Sequence, residues 1–312
     1  MAQSPTGIAA VVLSFDPASG FLLDFIEAVT DTLSREGLFT SIHNSGWDCG
    51  RERGILQRLA QDRIDGILLL PVSDRHNVEI LCEIAAQGPR LALVDACTRN
   101  LPAAGFASDN IGGARDLTRL LIERGHDRIG FLSCSPINGR TSLQDRYFGY
   151  CQAVREHGMM PLPFFPDEEG EAEISDACGR PGCRSVPGNR HILSLRSRIP
   201  AMIGNGITAV FAEQDSLALD VMEACRDLGI DIPRDLSLAG FDDIPALDRL
   251  TIPLTTVHQS FDLLGQESAA WLADTIRLGL GAAGPGKRLP VRIVDRGSEE
   301  RRVGKECSLT CR

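Results

Sequence analysis

The chain is short of positive charge: 32 Lys and Arg stand against 42 Asp and Glu, a formal net charge of -10 over 312 residues. A surface built to hold a phosphate backbone carries the opposite surplus, so this chain as it stands is not a dedicated nucleic-acid binder, and DNA contact would need another module. Long apolar runs are missing as well. Nothing approaches the roughly 20 consecutive apolar residues of a membrane span, and Met1-Ala2-Gln3-Ser4-Pro5-Thr6-Gly7 lacks the basic start of a secretory signal. No membrane partner and a cytoplasmic location are therefore expected.

The enzyme templates are also absent. After the first apolar run stands Ser14-Phe15-Asp16-Pro17-Ala18-Ser19-Gly20 rather than G-x-G-x-x-G, and neither G-x-x-x-x-G-K-[ST] nor G-x-S-x-G occurs. His43, His76, His126, His157, His191 and His258 lack the i, i+4 spacing of a helical metal site, and most read as surface or loop residues. No nucleophile can be paired with a base, so no enzyme, no cofactor and no metal are expected. The ten cysteines (49, 82, 97, 134, 151, 178, 183, 225, 307 and 311) are scattered and mostly sit in apolar stretches, the pattern of reduced core thiols rather than a disulfide framework. Cys178 and Cys183 are close, but without a second pair they do not form a zinc site.

What is present is rhythm. Residues 43% apolar over this length imply a sizeable core and about two domains. Short aliphatic runs alternate with amphipathic stretches: strand 8–15, helix 21–35, strand 39–42, helix 50–61, strand 66–70, helix 77–87, strand 90–94, a short strand 105–107 and helix 111–124. A second cycle starts at 127–132 and continues through helix 143–157, strand 209–212, helix 216–228 and strand 237–241, then helix 261–279 and a last strand near 291–294. Parallel strands need crossover helices, so the pattern predicts an α/β protein of two doubly wound parallel-sheet lobes, changing over at Gly125-His126.

Two segments break the rhythm. Residues 168–203 carry many chain breakers and no periodicity, and are expected to form an insertion without structure. The end, 298–312, is similar to a translated sequencing adapter and is expected to be a non-native tail.

In two-lobed α/β proteins, ligands bind beyond the C-terminal ends of the strands. Short polar residues recur there: Ser14 to Phe21, Pro71-Val72-Ser73-Asp74, Asp95, Ser108-Asp109-Asn110, Ser133 to Ser135, Gln214-Asp215 and Asp242-Asp243. Any one of them is as well explained by helix capping; their recurrence points to a cleft. Arg146, inside a helix, offers a guanidinium fork suited to hydroxyls or a carboxylate, with an exposed salt-bridging arginine as the alternative.

The runs Arg124-Gly125-His126-Asp127-Arg128-Ile129-Gly130-Phe131-Leu132, 230–245 (IDIPRDLSLAGFDDIP), Pro253-Leu254-Thr255-Thr256-Val257-His258-Gln259 and Val294-Asp295-Arg296-Gly297-Ser298 resemble the effector-binding core of the lactose/galactose repressor (LacI/GalR) family, over about Gly7 to Ser298. The resemblance implies a periplasmic-binding-protein-like fold with three crossovers, expected near 125–126, 257–258 and 283–286. The lobes would then be 7–125 plus 258–284 and 126–257 plus 285–297. It implies a homodimer that binds a small sugar or nucleoside-like effector. Ligand contacts would fall on Phe21, Asp109, Asn110, Arg146, Gln214, Asp215, Asp242, Gln259 and Phe261, and Ser73 joins them from the strand-end pattern. Arg146 and Asp242 would grip vicinal hydroxyls while Phe21 or Phe261 stacks on the sugar's apolar face.

The sequence departs from the family at Ser19-Gly20-Phe21-Leu22 and Gln214-Asp215, so effector identity is not inherited. The family's N-terminal helix-turn-helix has no counterpart before Ile8, and operator DNA would be reached only through such a domain. Dimer contacts are expected on Ile55, Leu59, Leu81 and Ile84, unless these pack on their own sheet. The competing reading is a free-standing periplasmic-type sugar-binding protein of a transport system, which shares the fold.

Overall fold

A computed structural model describes residues 7–14, 22–62, 64–73, 75–96, 101, 103–137, 140–165, 190–279, 284 and 286–300. The first lobe is laid on strands β1 (Ile8–Leu13), β2 (Phe39–Asn44), β3 (Gly66–Leu69), β4 (Arg90–Val94) and β5 (Ala104–Ser108), with α1 (Leu22–Arg35), α2 (Cys49–Gln61) and α3 (Val78–Gln87) between them. Strand β1 is apolar at every position and buried over its last five, as a parallel strand covered on both faces must be. Helix α1 buries Leu22, Phe25, Val29 and Leu33, a single stripe at 3.6-residue spacing.

The second lobe holds α4 (Asn110–Glu123), β6 (Ile129–Leu132), α5 (Thr141–Glu156), β7 (Leu162–Phe164), α6 (Arg190–Gly204), β8 (Ala209–Ala212), α7 (Asp215–Leu228) and β9 (Ser237–Ala239). The chain then runs through β10 (Thr256–Gln259), α8 (Phe261–Leu278), β11 (Lys287–Leu289) and β12 (Val291–Val294). The sheets are ordered β11-β5-β4-β3-β1-β2 and β7-β6-β8-β9, with all their described pairings parallel, and β10 and β12 form an antiparallel pair. The expectation of two doubly wound parallel lobes is borne out.

The crossovers sit elsewhere than expected. Helix α4 packs its Ala114, Leu117 and Leu121 against Phe131, Tyr150 and Phe211 of the second lobe, so the chain changes lobe between Ser108 and Asn110 rather than at 125–126. Strand β11 pairs with β5 of the first sheet, and the return comes at Pro290, between β11 and β12, rather than at 283–286. Proline has no N–H to give a ladder, which suits it to the break between strands of different sheets. The middle passage falls between β10, joined to the second lobe by the Gly240 N–H to Thr255 O and Asp242 N–H to Val257 O bonds, and α8, whose Leu264, Ala269 and Leu272 enter the first-lobe core.

Three further expectations are corrected. The unstructured insertion 168–203 ends in a helix: α6 buries Leu195, Ile199 and Met202 at 3.6-residue spacing despite Pro200, while 166–189 lie outside the described residues. The breakers upstream had masked that stripe. The tail does not begin at 298, because Ser298 and Glu299 are buried. Ser298 Oγ donates to Leu238 O (2.5 Å) and accepts from the Thr255 N–H (2.8 Å), and the remainder of the expected tail, 301–312, lies outside the described residues. Leu59, Leu81 and Ile84 are buried, with Ile55 against them, in the core under their own sheet, so they are not exposed dimer contacts. Among the described cysteines, Cys82, Cys134, Cys151 and Cys225 are in no disulfide, but Cys49 is disulfide-bonded, a departure for which the scattered spacing carried no signal.

Candidate functional site

Helix α5 buries Leu143, Arg146, Tyr150 and Val154 along one face, so Arg146 occupies a place that the helical period reserves for an apolar side chain. That stripe is the sequence signal separating it from an exposed arginine. The side chain is only 8% exposed, and its donors are placed. Nε donates to Asn110 Oδ1 (2.8 Å), Nη1 to the Glu213 carbonyl (2.6 Å), and Nη2 pairs with Asp242 Oδ1 (3.0 Å). The guanidinium carbon lies over the Phe241 ring, 3.9 Å from its centroid, a cation–π contact made strong by desolvation.

Asp242 follows β9 on a turn held at φ +121°, a region that side chains rarely adopt. Its Oδ1 takes both the Arg146 pair and a bond from Gln259 Nε2 (2.7 Å). Burial raises the Asp242 carboxyl above its ordinary range, against the pull of Arg146 and Arg140. Gln259 is buried, and its Oε1 has no hydrogen-bond partner. Arg140, just before α5, stays charged: burial works against it, but Glu213, Cys134, Asp95 and Asp242 outweigh that cost.

Asp215, at the start of α7, is fully buried. Its carboxylate accepts from Thr256 Oγ1 (2.6 Å) and the Ile244 N–H (3.1 Å), and its own N–H donates to Phe241 O (2.8 Å). Burial first, and the neighbouring Asp242 charge second, push it up to about 7. A Cβ at residue 240 would stand 2.1 Å from Asp215 Oδ1, so Gly240 is required where the loop wraps this carboxylate. Asp215 is thus placed to hold the Asp242 turn.

The ten candidates separate by place. Asn110, Arg146, Asp242 and Gln259 form one hydrogen-bonded chain, with Asp215 behind it. Asp109 caps α4 through the Gly112 N–H (3.0 Å), and its own N–H donates to Leu289 O (2.8 Å), tying the first crossover to the third. Gln214 Nε2 reaches Cys134 Sγ at 3.7 Å. Ser73 belongs to the loop after β3, where Oγ accepts from the Arg75 N–H (3.3 Å) and lies 3.0 Å from His76 Nδ1; no hydrogen bond joins it to the Arg146 chain. Phe261 packs against the first-lobe core, and Phe21 lies outside the described residues.

Glu213 was missed. Its carbonyl holds Arg146, and its carboxylate accepts from the Cys134 N–H and Sγ, each at 3.1 Å. Only its position one residue past β8 hinted at this. His126, one of six histidines of which most read as surface or loop residues, is buried between Thr208 Oγ1 (2.9 Å) and Glu299 O (3.0 Å). Among the described residues, no group of three or more His, Cys, Asp or Glu is placed to hold a metal ion, and no helix is long and apolar enough to cross a membrane.

Two parallel-sheet lobes joined by three passages, with a buried polar chain where those passages meet, define a bilobal effector-binding core. The model of the periplasmic binding protein-like domain matches residues 118–299, and the chain belongs to that family. Its relatives are regulators. It is 28% identical over 266 residues to the HTH-type transcriptional repressor PurR of Vibrio atlanticus, covering 82% of this chain and 71% of that one. To the HTH-type transcriptional regulator GalR of Escherichia coli it is 28% identical over 279 residues, 86% and 72% of the two chains. A solved complex of the transcriptional regulator CelR with cellobiose superposes with a TM-score of 0.77 at 24% identity, over 94% of this chain and 85% of that one. The resemblance to the LacI/GalR effector-binding core is borne out.

Proposed function

We propose that this chain binds a small polyhydroxylated metabolite, a sugar or nucleoside-like molecule, in the cleft between its lobes, and that binding sets the orientation of the lobes and so the operator affinity of a homodimeric regulator. One observation carries the reading. A guanidinium has five N–H donors, and three of Arg146's are spent on Asn110, Glu213 and Asp242. Among the described residues two remain without a partner, and Asp242 Oδ2 makes no hydrogen bond, its partners having taken Oδ1. Adjacent unspent donors and an unspent charged acceptor match a vicinal diol, whose hydroxyls both accept and donate, and charge-assisted bonds of this kind are about twice as strong as neutral ones.

The position supplies the coupling. Asn110 begins the chain after the first crossover and Gln259 ends it before the second, so a ligand that moves Arg146 or Asp242 acts on two of the three passages. A coupling of about 1–3 kcal/mol between effector and operator is ordinary for such a switch. DNA contact would lie outside the residues described. The regulator relatives favour this reading, and a cytoplasmic location with it, over the transport-type alternative.

Thermal melts with mono- and disaccharides including D-ribose, D-galactose and cellobiose, with sugar phosphates, polyols, nucleosides and purines, test it on the native chain, Arg146→Lys and Asp242→Asn. Stabilisation by one class, lost in both variants, is expected, since Lys keeps the charge but not the fork. A folded native chain that no member of the panel stabilises, or stabilisation that survives both substitutions, overturns it.

A further inference from the structure

Glu52 is a buried carboxylate that the Arg146 chain does not use. It has no exposed surface in α2, and its two oxygens hold two points of one loop. Oε2 accepts from the Val72 N–H (2.8 Å) and Oε1 from Asn77 Nδ2 (2.9 Å), while the same Nδ2 also donates to Cys49 O (3.0 Å). Between Val72 and Asn77 lies Ser73, nominated above for ligand contact from the end of β3.

Two costs converge on this arrangement. Taking a carboxylate wholly out of water is unfavourable, and burial raises the Glu52 carboxyl against the pull of its Asn77 and Val72 hydrogen bonds. Asn77 stands at the N-cap of α3 in the left-handed conformation, φ 61°, with no side-chain bond to the helix. Asparagine is among the best capping residues, its side-chain oxygen normally accepting from the first turn; here the amide nitrogen is directed to α2 instead. Local preferences overridden twice to hold one stretch of backbone indicate that its shape serves a function.

We infer that Glu52 and Asn77 are positioning residues that preset the loop after β3 as the first-lobe wall of the ligand cleft, so that Ser73 meets the ligand without an ordering cost at binding. The inference rests on the cleft reading above. It explains why a carboxyl is kept in a helix face otherwise filled by Cys49, Leu56 and Leu59.

Amide hydrogen exchange at Val72, with calorimetric titration of D-ribose and of cellobiose, tests it on the native chain, Glu52→Gln and Asn77→Gly. Glu52→Gln turns an N–H group onto one of the two donors, and Asn77→Gly keeps the left-handed backbone while removing the amide. The expected result is Val72 exchange accelerated about tenfold or more in Glu52→Gln, with β1 and β3 amides unchanged. Whichever sugar binds the native chain should bind both variants about tenfold more weakly at a similar Tm. Unchanged Val72 exchange overturns the clamp, and a loosened loop with native sugar affinity overturns its role in binding. Exchange decides the clamp even where neither sugar binds the native chain, and the cleft reading is then decided by the wider panel of melts.

Discussion

At Asp215 a single carboxyl carries a measurable pH signature. Buried and facing the Asp242 charge, it titrates at about 7 in the native state, against an ordinary value of 3.8. The folded chain therefore keeps a proton that the unfolded chain has released across that interval. Its contribution to stability is fully present below 3.8 and is lost as pH rises to about 7. The slope for one such proton is at most about 1.4 kcal/mol per pH unit. Asp215→Asn removes the titration. Its amide oxygen can still accept from the Ile244 N–H, and its amide N–H can donate to the Thr256 hydroxyl, so the exchange of one acceptor for a donor adds an offset of about 1 kcal/mol or less that does not vary with pH. Urea unfolding of both chains between pH 4 and 8 cancels the other carboxylates in the difference. The stability advantage of the native chain over Asp215→Asn should shrink as pH rises to about 7 and level off above it; a difference that stays constant over the range contradicts a raised Asp215.

Between elements, the contact that decides most is α4 against α5. A Cβ on Gly149 would stand 2.2 Å from Ile111 O and 3.0 Å from Arg115 N. Gly149→Ala thus sets two effects against each other. Helix propensity favours alanine by up to about 1 kcal/mol, while overpacking a closed contact costs about 1–3 kcal/mol. The clash is with backbone, which cannot rotate away, so net destabilisation is expected in a urea melt. Ligand-induced stabilisation should shrink too, because pushing α4 outward moves Asn110 from Arg146 Nε; a variant as stable as the native chain refutes the argument. The same pair shows what was legible beforehand. Apolar stripes announced α1, α4 and α5, and unbroken aliphatic runs announced β1, β3 and β8, because burial imposes those periods locally. A stripe says that a helix is covered but not by which sheet, so α4 was given to the wrong lobe. Strand β11 has three residues, too few for any period, and α6 lay behind a run of breakers. Arg146 and Asp242 were nominated, but Glu213, which holds Arg146 through a backbone carbonyl, belongs to a class of contact that no side-chain pattern records.

Across the whole molecule, the last described residues close the second lobe over distances that the sequence does not suggest. Ser298 gives its hydroxyl to Leu238 O, takes the Thr255 N–H, and its own carbonyl accepts from the Leu238 N–H (3.1 Å). Glu299 accepts from the Thr255 hydroxyl, its carbonyl meets His126 Nε2, and its carboxylate faces Arg124 at 3.7 Å. Strands β9 and β10 and the turn after α4 are thus fastened by two residues. Ending the chain after Gly297 takes away the partners of the Leu238 N–H and carbonyl, of the Thr255 N–H and of His126 Nε2, whose ring keeps its Nδ1 contact with Thr208, at about 1–3 kcal/mol for each group left buried, against a total stability of about 5–15 kcal/mol for a typical domain. The six-stranded sheet has its own core of β1, β3, β4, α1 and α8 and makes none of these bonds. Urea unfolding of the chain ended after Gly297 should therefore separate into two steps, with β6, β8 and β9 amides exchanging freely at concentrations where β1 and β3 amides remain protected. A chain ended after Glu300 isolates the effect of Ser298 and Glu299 from that of the residues beyond. If the chain ended after Gly297 unfolds in one step at the midpoint of the chain ended after Glu300, the closure of the second lobe does not depend on its final turn.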